Sequence, residues 1–256
     1  MTFKEFWTNE NNPTLKETEY MYHTRHIVVL LIAIIATVML AISFSSKSDK
    51  AKQRLLKVFA WVLLCFEILS RIVNCFVVKH FTLANIIRII FPLEICSVVV
   101  WVLIFAVFTK KELLYEFVAT IGLLATAVFL LFPAVGLNRV NMSFTCVYSI
   151  VTHIISFACS VLVLTFGYAK FEIKKIWQLY LCVIGMFVWG AVVDFLLIPG
   201  SNYMYLRTIP IVLNINFPYQ ILYGFFVAIY VFAFYLVQMF KHRENKNNQQ
   251  KNAKRR

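Results

Sequence analysis

The chain predicts an all-α fold, a polytopic membrane bundle of about seven transmembrane helices with its N-terminus outside and its C-terminus in the cytoplasm. Three observations carry that expectation. Hydrophobic residues fill 61% of the 256 positions and charged residues only 14%, against roughly 45–50% and about 25% in soluble domains. The apolar residues gather into seven runs, each close to the roughly 20 residues that a membrane-spanning helix needs. Strict two-residue alternation is missing, which argues against a transmembrane β-barrel.

The elements follow in order. A polar, mixed-charge segment over 1–25 comes first. It is not a short basic region, and no small-residue cleavage site follows the first apolar run. That run is therefore expected to be a retained helix and not a signal peptide. The seven spans are expected at 26–46, 55–78, 85–108, 113–135, 143–168, 173–198 and 217–240, which together make one transmembrane domain over 26–240. The tail 241–256 is dominated by Asn, Gln, Lys and Arg and has no Phe, Trp or Tyr. Such a composition buries no core and predicts a disordered, basic cytoplasmic tail.

Orientation follows from the cationic residues of the short loops. Lys47, Lys50, Lys52, Arg54, Lys57, Lys110, Lys111, Lys170, Lys174, Lys175, Lys241, Arg243, Lys246, Lys251, Lys254, Arg255 and Arg256 fall on one side. Lys4, Lys16, Arg25, Lys79, Arg88, Arg139 and Arg207 fall on the other, and Arg71 stays inside the second span. That bias of 17 to 7 puts the N-terminus outside, and it accounts for the net charge of +13. The positive charge is thus read as topogenic, and no nucleic-acid partner is expected.

Polar side chains within the spans carry the chemistry. An ionisable group in a bilayer core is costly unless partnered, so it is first a functional candidate. In the second span, Glu67 and Arg71 stand four residues apart on one helical face, in the favourable order. They are either an ion pair that anchors packing or the polar wall of a cavity. The third span holds Pro92, Glu94 and Cys96. Pro fits the first turn of a helix, so a helix is expected to start near Pro92, with Glu94 in its first turn and Cys96 just beyond. A helix N-terminus and a neighbouring His both favour the nucleophilic thiolate.

In the fifth span, Ser149, His153, Ser156 and Ser160 recur at three- and four-residue spacing and share one stripe. The stripe suits close helix packing, and His153 within it suits either a hydrogen-bonded core role or proton transfer. Asp194 lies about four residues from the outer end of the sixth span, within reach of interfacial water. Asn202 and Tyr203 follow in the loop SNYMYL. Tyr203, with Tyr205 and Tyr219, also fits an aromatic belt.

Six cysteines lie in or beside the spans, at 65, 75, 96, 146, 159 and 182, without a CxxC pair. Neither a disulfide framework nor a zinc site is indicated. The chain has no internal repeat, no glycine-rich phosphate loop and no GxSxG motif. Depth links the polar groups. At 1.5 Å per residue, Cys96 lies roughly 10–18 Å below its outer end and His153 about 15 Å below its own. Glu67 and Arg71 fall near the same level, and one shared depth points to a shared cavity.

FPLEIC, the run TIGLLATAVFLLFP, the intramembrane His153 and the loop SNYMYL together resemble the YwaF-type integral membrane family. A eukaryotic membrane phospholipid acyltransferase acting on ether phospholipids is a relative. The resemblance covers the chain from the first span to the seventh. It implies a polytopic bundle with a Cys–His acyl-transfer dyad, matched here by Cys96 and His153. The family usually has His where this chain has Glu94.

The activity this implies is transfer of a fatty acyl group between lipids through a thioester on Cys96, with His153 moving the proton. Splitting the transfer in two is the benefit of a covalent intermediate. Water as acceptor would make the protein a lipid hydrolase. The expected partners are a membrane phospholipid or lysophospholipid and the lipid bilayer, in a bacterial cytoplasmic membrane. The loop over 200–210 would hold the head group, and no metal or soluble cofactor is implied. The alternative is a non-catalytic transporter or ligand-binding membrane protein, in which Glu67, Arg71, His153 and Asp194 form a polar pathway. The missing repeats argue against a typical transporter. A third class is a structural or assembly partner.

The orientation is directly testable. A reporter fused after the last residue should be active only where that reporter works in the cytoplasm. Activity of an exported-only reporter at the same position would overturn the inside C-terminus.

Overall fold

The computed structural model describes residues 2–8, 12–77, 82–132, 137–199, 201 and 219–254. Its helices are α1 (Phe3–Thr8), α2 (Glu17–Tyr20), α3 (Thr24–Ser45), α4 (Asp49–Val77), α5 (Leu83–Ile90) and α6 (Ile95–Thr109). They continue with α7 (Glu112–Phe117), α8 (Leu123–Leu131), α9 (Phe144–Phe166), α10 (Ile176–Ala191) and α11 (Tyr219–Lys254). A π turn, Val118–Gly122, joins α7 to α8, and another, Val192–Leu197, extends α10. Among the described residues no strand forms beyond one isolated antiparallel bridge between Thr14 and Arg139.

The fold is an all-α polytopic bundle, as the composition predicts. Among the described residues, five helical stretches are long and apolar enough to cross a membrane, or six if the bent pair α5–α6 is one span. Seven crossings are expected from the sequence. The difference falls on α4, which is not among the five. It carries Asp49, Lys50, Lys52, Arg54 and Lys57 at its start, and Glu67 and Arg71 further along. α11 continues to Lys254, through most of the segment expected as a basic tail.

α9 is the centre of the bundle, in contact with α3, α4, α6 and α8. Small residues allow the approach. Ser149, Ser156, Ala158, Cys159 and Ser160 of α9 are all buried. One apolar cluster joins Leu56, Ala60 and Leu63 of α4 to Leu103 and Val107 of α6 and to Cys159, Leu162 and Val163 of α9. A second joins Val99 of α6 and Phe117 of α7 to Leu179 and Val183 of α10 and to Val227, Val231 and Tyr235 of α11. α3 turns Ile27, Leu31, Ile35, Val38 and Ile42 outwards. An outward apolar face is what a lipid-facing helix presents.

The third expected span is broken rather than continuous. Its two helices meet at 45°. Pro92 has no N–H and restricts the residue before it to extended backbone. Phe91 accordingly has ψ 146° and ends α5. α6 begins at Ile95, later than the start near Pro92 that the sequence suggests, so Glu94 is its N-cap and Cys96 its second residue. At the other end of the bundle, Gly167 closes α9 with φ +75°, a conformation that costs glycine little. Beyond it, the Tyr168 hydroxyl donates to Asp49 Oδ1 at 2.6 Å and ties α9 to the start of α4.

The N-terminal segment clasps the α8–α9 connection. The Leu15 N–H donates to the Asn138 carbonyl at 2.8 Å, and Arg139 Nη1 donates to the Asn12 carbonyl at 2.9 Å. Asn12 closes the clasp by bonding Asn141 through both its amide nitrogen and its oxygen. Trp7 of α1 packs on Phe144 of α9 with ring centroids 5.0 Å apart.

A close helix approach lies at Gly122. A Cβ there would sit 3.0 Å from Ser160 Oγ and 3.1 Å from Val99 Cγ1. Gly122→Leu should destabilise the bundle by about 1–3 kcal/mol through overpacking. Gly185→Ala should be tolerated, since a Cβ there meets nothing within 4 Å. Thermal unfolding in detergent checks the pair; equal midpoints would show that Gly122 is not at a close contact.

Candidate functional site

Two adjoining cavities lie where α4, α5, α6, α8 and α9 meet. The smaller, about 170 Å³, is lined by Cys96, Thr126, Thr152, His153 and Ser156, among others. The larger, about 350 Å³, is lined by Glu67, Arg71, Asn85, Arg88 and Ile89, among others. Both walls include Ser70, Asn74, Glu94, Ser97 and Tyr148. The helix break delivers two of these groups. Glu94 caps α6 without using its side chain in the cap, and Cys96 follows in the first turn.

His153 is held from both sides. Its ring stacks on Phe129 with centroids 3.4 Å apart and planes at 13°. Nδ1 lies 2.6 Å from the Ser149 carbonyl. A carbonyl only accepts, so Nδ1 carries the proton and Nε2 presents its lone pair. Nε2 is buried and has no partner among the described residues. In its neutral form the imidazole is thereby fixed in tautomer and orientation, on the wall that also carries Cys96. A buried His with one committed nitrogen and one open nitrogen is arranged to accept a proton.

His26 makes the contrast. The Tyr22 N–H donates to its Nδ1 at 2.9 Å, and Nε2 lies 2.7 Å from the Leu130 carbonyl. Both nitrogens are committed, which is a structural role.

The larger cavity is organised by charge. Arg71 Nη2 donates to Glu67 Oε2 at 3.0 Å, Nη1 donates to the Ile89 carbonyl, and the guanidinium lies over the Trp101 ring at 5.5 Å. The Tyr148 hydroxyl donates to Glu67 Oε1. Glu67 and Arg71 are thus both an anchor between helices and a cavity wall, the two roles that their spacing leaves open. Asp194 lines neither cavity. It is 0% exposed rather than at the water interface, and its Oδ1 accepts from the Ser201 hydroxyl at 2.6 Å. Asn202, Tyr203 and the rest of the loop expected to hold a head group, Ser201 apart, lie outside the described residues.

Some residues of the site go unmarked in the sequence reading. Tyr148 bridges the two cavities, yet it lies off the stripe of Ser149 and His153, and a lone Tyr in an apolar span carries no signal. Away from both cavities, Glu116 is a third buried carboxylate beside Glu67 and Asp194, and the Tyr235 hydroxyl donates to it. It lies at the start of its span, where a carboxylate is commonly solvated, and its partner is 119 positions away. Among the described residues, no three His, Cys, Asp or Glu side chains gather as a metal site.

The ion pair yields a stability test. Arg71→Met leaves a buried carboxylate without its cation, at a cost of about 3–5 kcal/mol. Adding Glu67→Gln removes that charge and keeps an acceptor for Tyr148. The double variant should therefore accumulate better than Arg71→Met alone, measured by fluorescence-detected size exclusion. Equal accumulation would mean that the two charges are not energetically coupled.

No curated protein and no solved structure matches the chain. One family model does, over residues 21–238, which takes in every helix from α3 to most of α11. The chain is a multi-pass integral membrane protein and belongs to the TMEM164 family.

Proposed function

We propose that this protein is a lipid acyltransferase in which Cys96 is the nucleophile and His153 the proton carrier. The observation that carries the reading is one cavity lined by a thiol at a helix start and by a buried imidazole whose Nε2 has no partner among the described residues. The resemblance of FPLEIC and the intramembrane His to YwaF-type proteins, with an ether-phospholipid acyltransferase as a relative, points the same way.

The mechanism follows from the groups. Nε2 of His153 takes the thiol proton, and the thiolate attacks an acyl ester of a phospholipid. The lysolipid oxygen leaves with that proton, and the acyl group remains as a thioester. An acceptor hydroxyl, that of a lysophospholipid, then gives its proton to Nε2 and attacks the thioester. Arg71, Arg88, Asn74 and Asn85 of the larger cavity suit a phosphate-bearing head group. The protein would act in a cell membrane, on substrates drawn from the bilayer.

The transporter reading needs one polar pathway through Glu67, Arg71, His153 and Asp194. Asp194 lies on neither cavity wall, so no observation favours that reading over acyl transfer.

The test is kinetic and covalent. Cys96→Ala and His153→Ala should each abolish transfer from a labelled phospholipid, and the double variant should lose little more, because residues of one catalytic unit are non-additive. Wild-type protein should carry hydroxylamine-sensitive label on Cys96 alone. His153→Ala should slow alkylation of Cys96 by a membrane-permeant reagent. Full lipid remodelling by Cys96→Ala, read by lipidomics of expressing cells, would rule out the thioester.

A further inference from the structure

An acyl-transfer site needs one part more than a nucleophile and a base. Attack on an ester places negative charge on the carbonyl oxygen. In a cavity of low dielectric that charge calls for a hydrogen-bond donor already aimed at it. The hydroxyls of the smaller cavity are the groups to ask.

Most of the buried hydroxyls around this site are spent. Thr126 donates to the Gly122 carbonyl at 2.7 Å, and Thr152 donates to the Tyr148 carbonyl at 2.7 Å. Ser160, one turn beyond the cavity, donates to the Ser156 carbonyl at 2.9 Å. Bonding back to the preceding turn is the usual resting state of a hydroxyl in a helix, and it uses the only proton the group has.

Ser156 does otherwise. It lines the same cavity, it is 1% exposed, and its Oγ has no partner among the described residues. The Thr152 carbonyl one turn earlier is the same kind of acceptor that its neighbours use. A buried hydroxyl left unpaired is costly, so this one is free to donate to a group that enters the cavity. His153 Nε2 is in the same condition, three residues away on the same helical face. An unspent base and an unspent donor thus share one cavity wall with the thiol.

We propose that Ser156 is the oxyanion donor of this site. The proposal rests on the acyl-transfer reading and adds a catalytic residue to it. In the first half, the Cys96 S–C bond forms and the carbonyl π pair moves onto oxygen, where it accepts the Ser156 hydroxyl hydrogen. The carbonyl then re-forms, the ester C–O bond breaks, and the lysolipid alkoxide takes the proton held by His153. In the second half, an acceptor hydroxyl loses its proton to His153 and adds to the thioester, and the same oxygen charges again. Collapse breaks the C–S bond and returns the proton to sulfur. Ser156 keeps its own proton throughout.

The test separates acylation from simple thiol reactivity. Full-length protein is placed in vesicles of diacyl phosphatidylcholine labelled in one acyl chain, and label on Cys96 is followed in time. Ser156→Ala should slow its appearance about 100- to 1,000-fold, the usual loss of one oxyanion donor. Its half-saturating lipid concentration should hold. Alkylation of Cys96 by iodoacetamide should keep the wild-type rate, because displacement at carbon passes through no oxyanion. Ser156→Thr, which keeps the hydroxyl, should recover most of the acylation.

Should the alanine variant fail to accumulate, Ser156→Thr and Ser156→Val replace it, since they differ only in hydroxyl against methyl. A large gap between them supports the proposal, and equal rates overturn it. Acylation of Ser156→Ala at the wild-type rate overturns it while leaving the acyl-transfer reading intact. Equal slowing of acylation and alkylation overturns it in favour of a structural role. Wild-type protein that never carries label on Cys96 overturns the acyl-transfer reading, and this proposal with it.

Discussion

Inside a bilayer, every polar atom must find its partner within the protein, and α9 is where that constraint bears hardest. It is the helix around which α3, α4, α6 and α8 pack, yet it carries Ser149, Thr152, His153, Ser156 and Ser160 in its buried middle. Thr152, Ser160 and His153 Nδ1 meet the constraint by bonding to carbonyls of α9 itself. Thr37 of α3 and Thr126 of α8 do the same on their own helices. A hydroxyl satisfied in this way is small and needs nothing from the next helix. That is why so polar a helix can stand at the centre of an apolar bundle. The exceptions on α9 are His153 Nε2 and Ser156 Oγ, and both line one cavity.

Much of the scaffold is legible in the amino-acid sequence. The first span, expected over 26–46, is α3, Thr24–Ser45, because a long apolar run in lipid has one stable form. The inward face of α9 was legible from three- and four-residue spacing alone. The break in the third span was marked by Pro92, although where the second helix resumes was not. The two residues between Pro92 and Ile95 are placed by distant packing, since Leu93 joins Ile87 of α5 in one cluster with Val193 and Ile198. Local sequence does not encode that contact.

What stayed hidden is of one kind. Periodicity tells which face of a helix is inward but not which helix it meets. Tyr148 to Glu67 spans 81 positions and Tyr235 to Glu116 spans 119. Neither pairing leaves a mark in either partner's neighbourhood. Asp194 misled for a related reason. Its distance from the end of the span suggests water, but the π turn at Val192–Leu197 and the Ser201 hydroxyl enclose it. The open state of Ser156 is also invisible in sequence, where it looks like Ser160.

The broken span has a consequence for the residue that faces it. A helix that stops inside a membrane leaves carbonyl oxygens with no N–H ahead of them. α5 stops at Ile90, and the carbonyl of Ile89 is taken by Arg71 from the neighbouring helix. The same guanidinium reaches back along α4 to Glu67. Position 71 is therefore a splint that holds a cut end of backbone to an intact rod, and it needs two donors fixed in a plane and pointing apart. A lysine has the charge but gathers its donors at one point. Position 71 thus depends on the shape of a side chain as well as on its sign. Any change that heals the break, such as loss of Pro92, would free the arginine from half of its work.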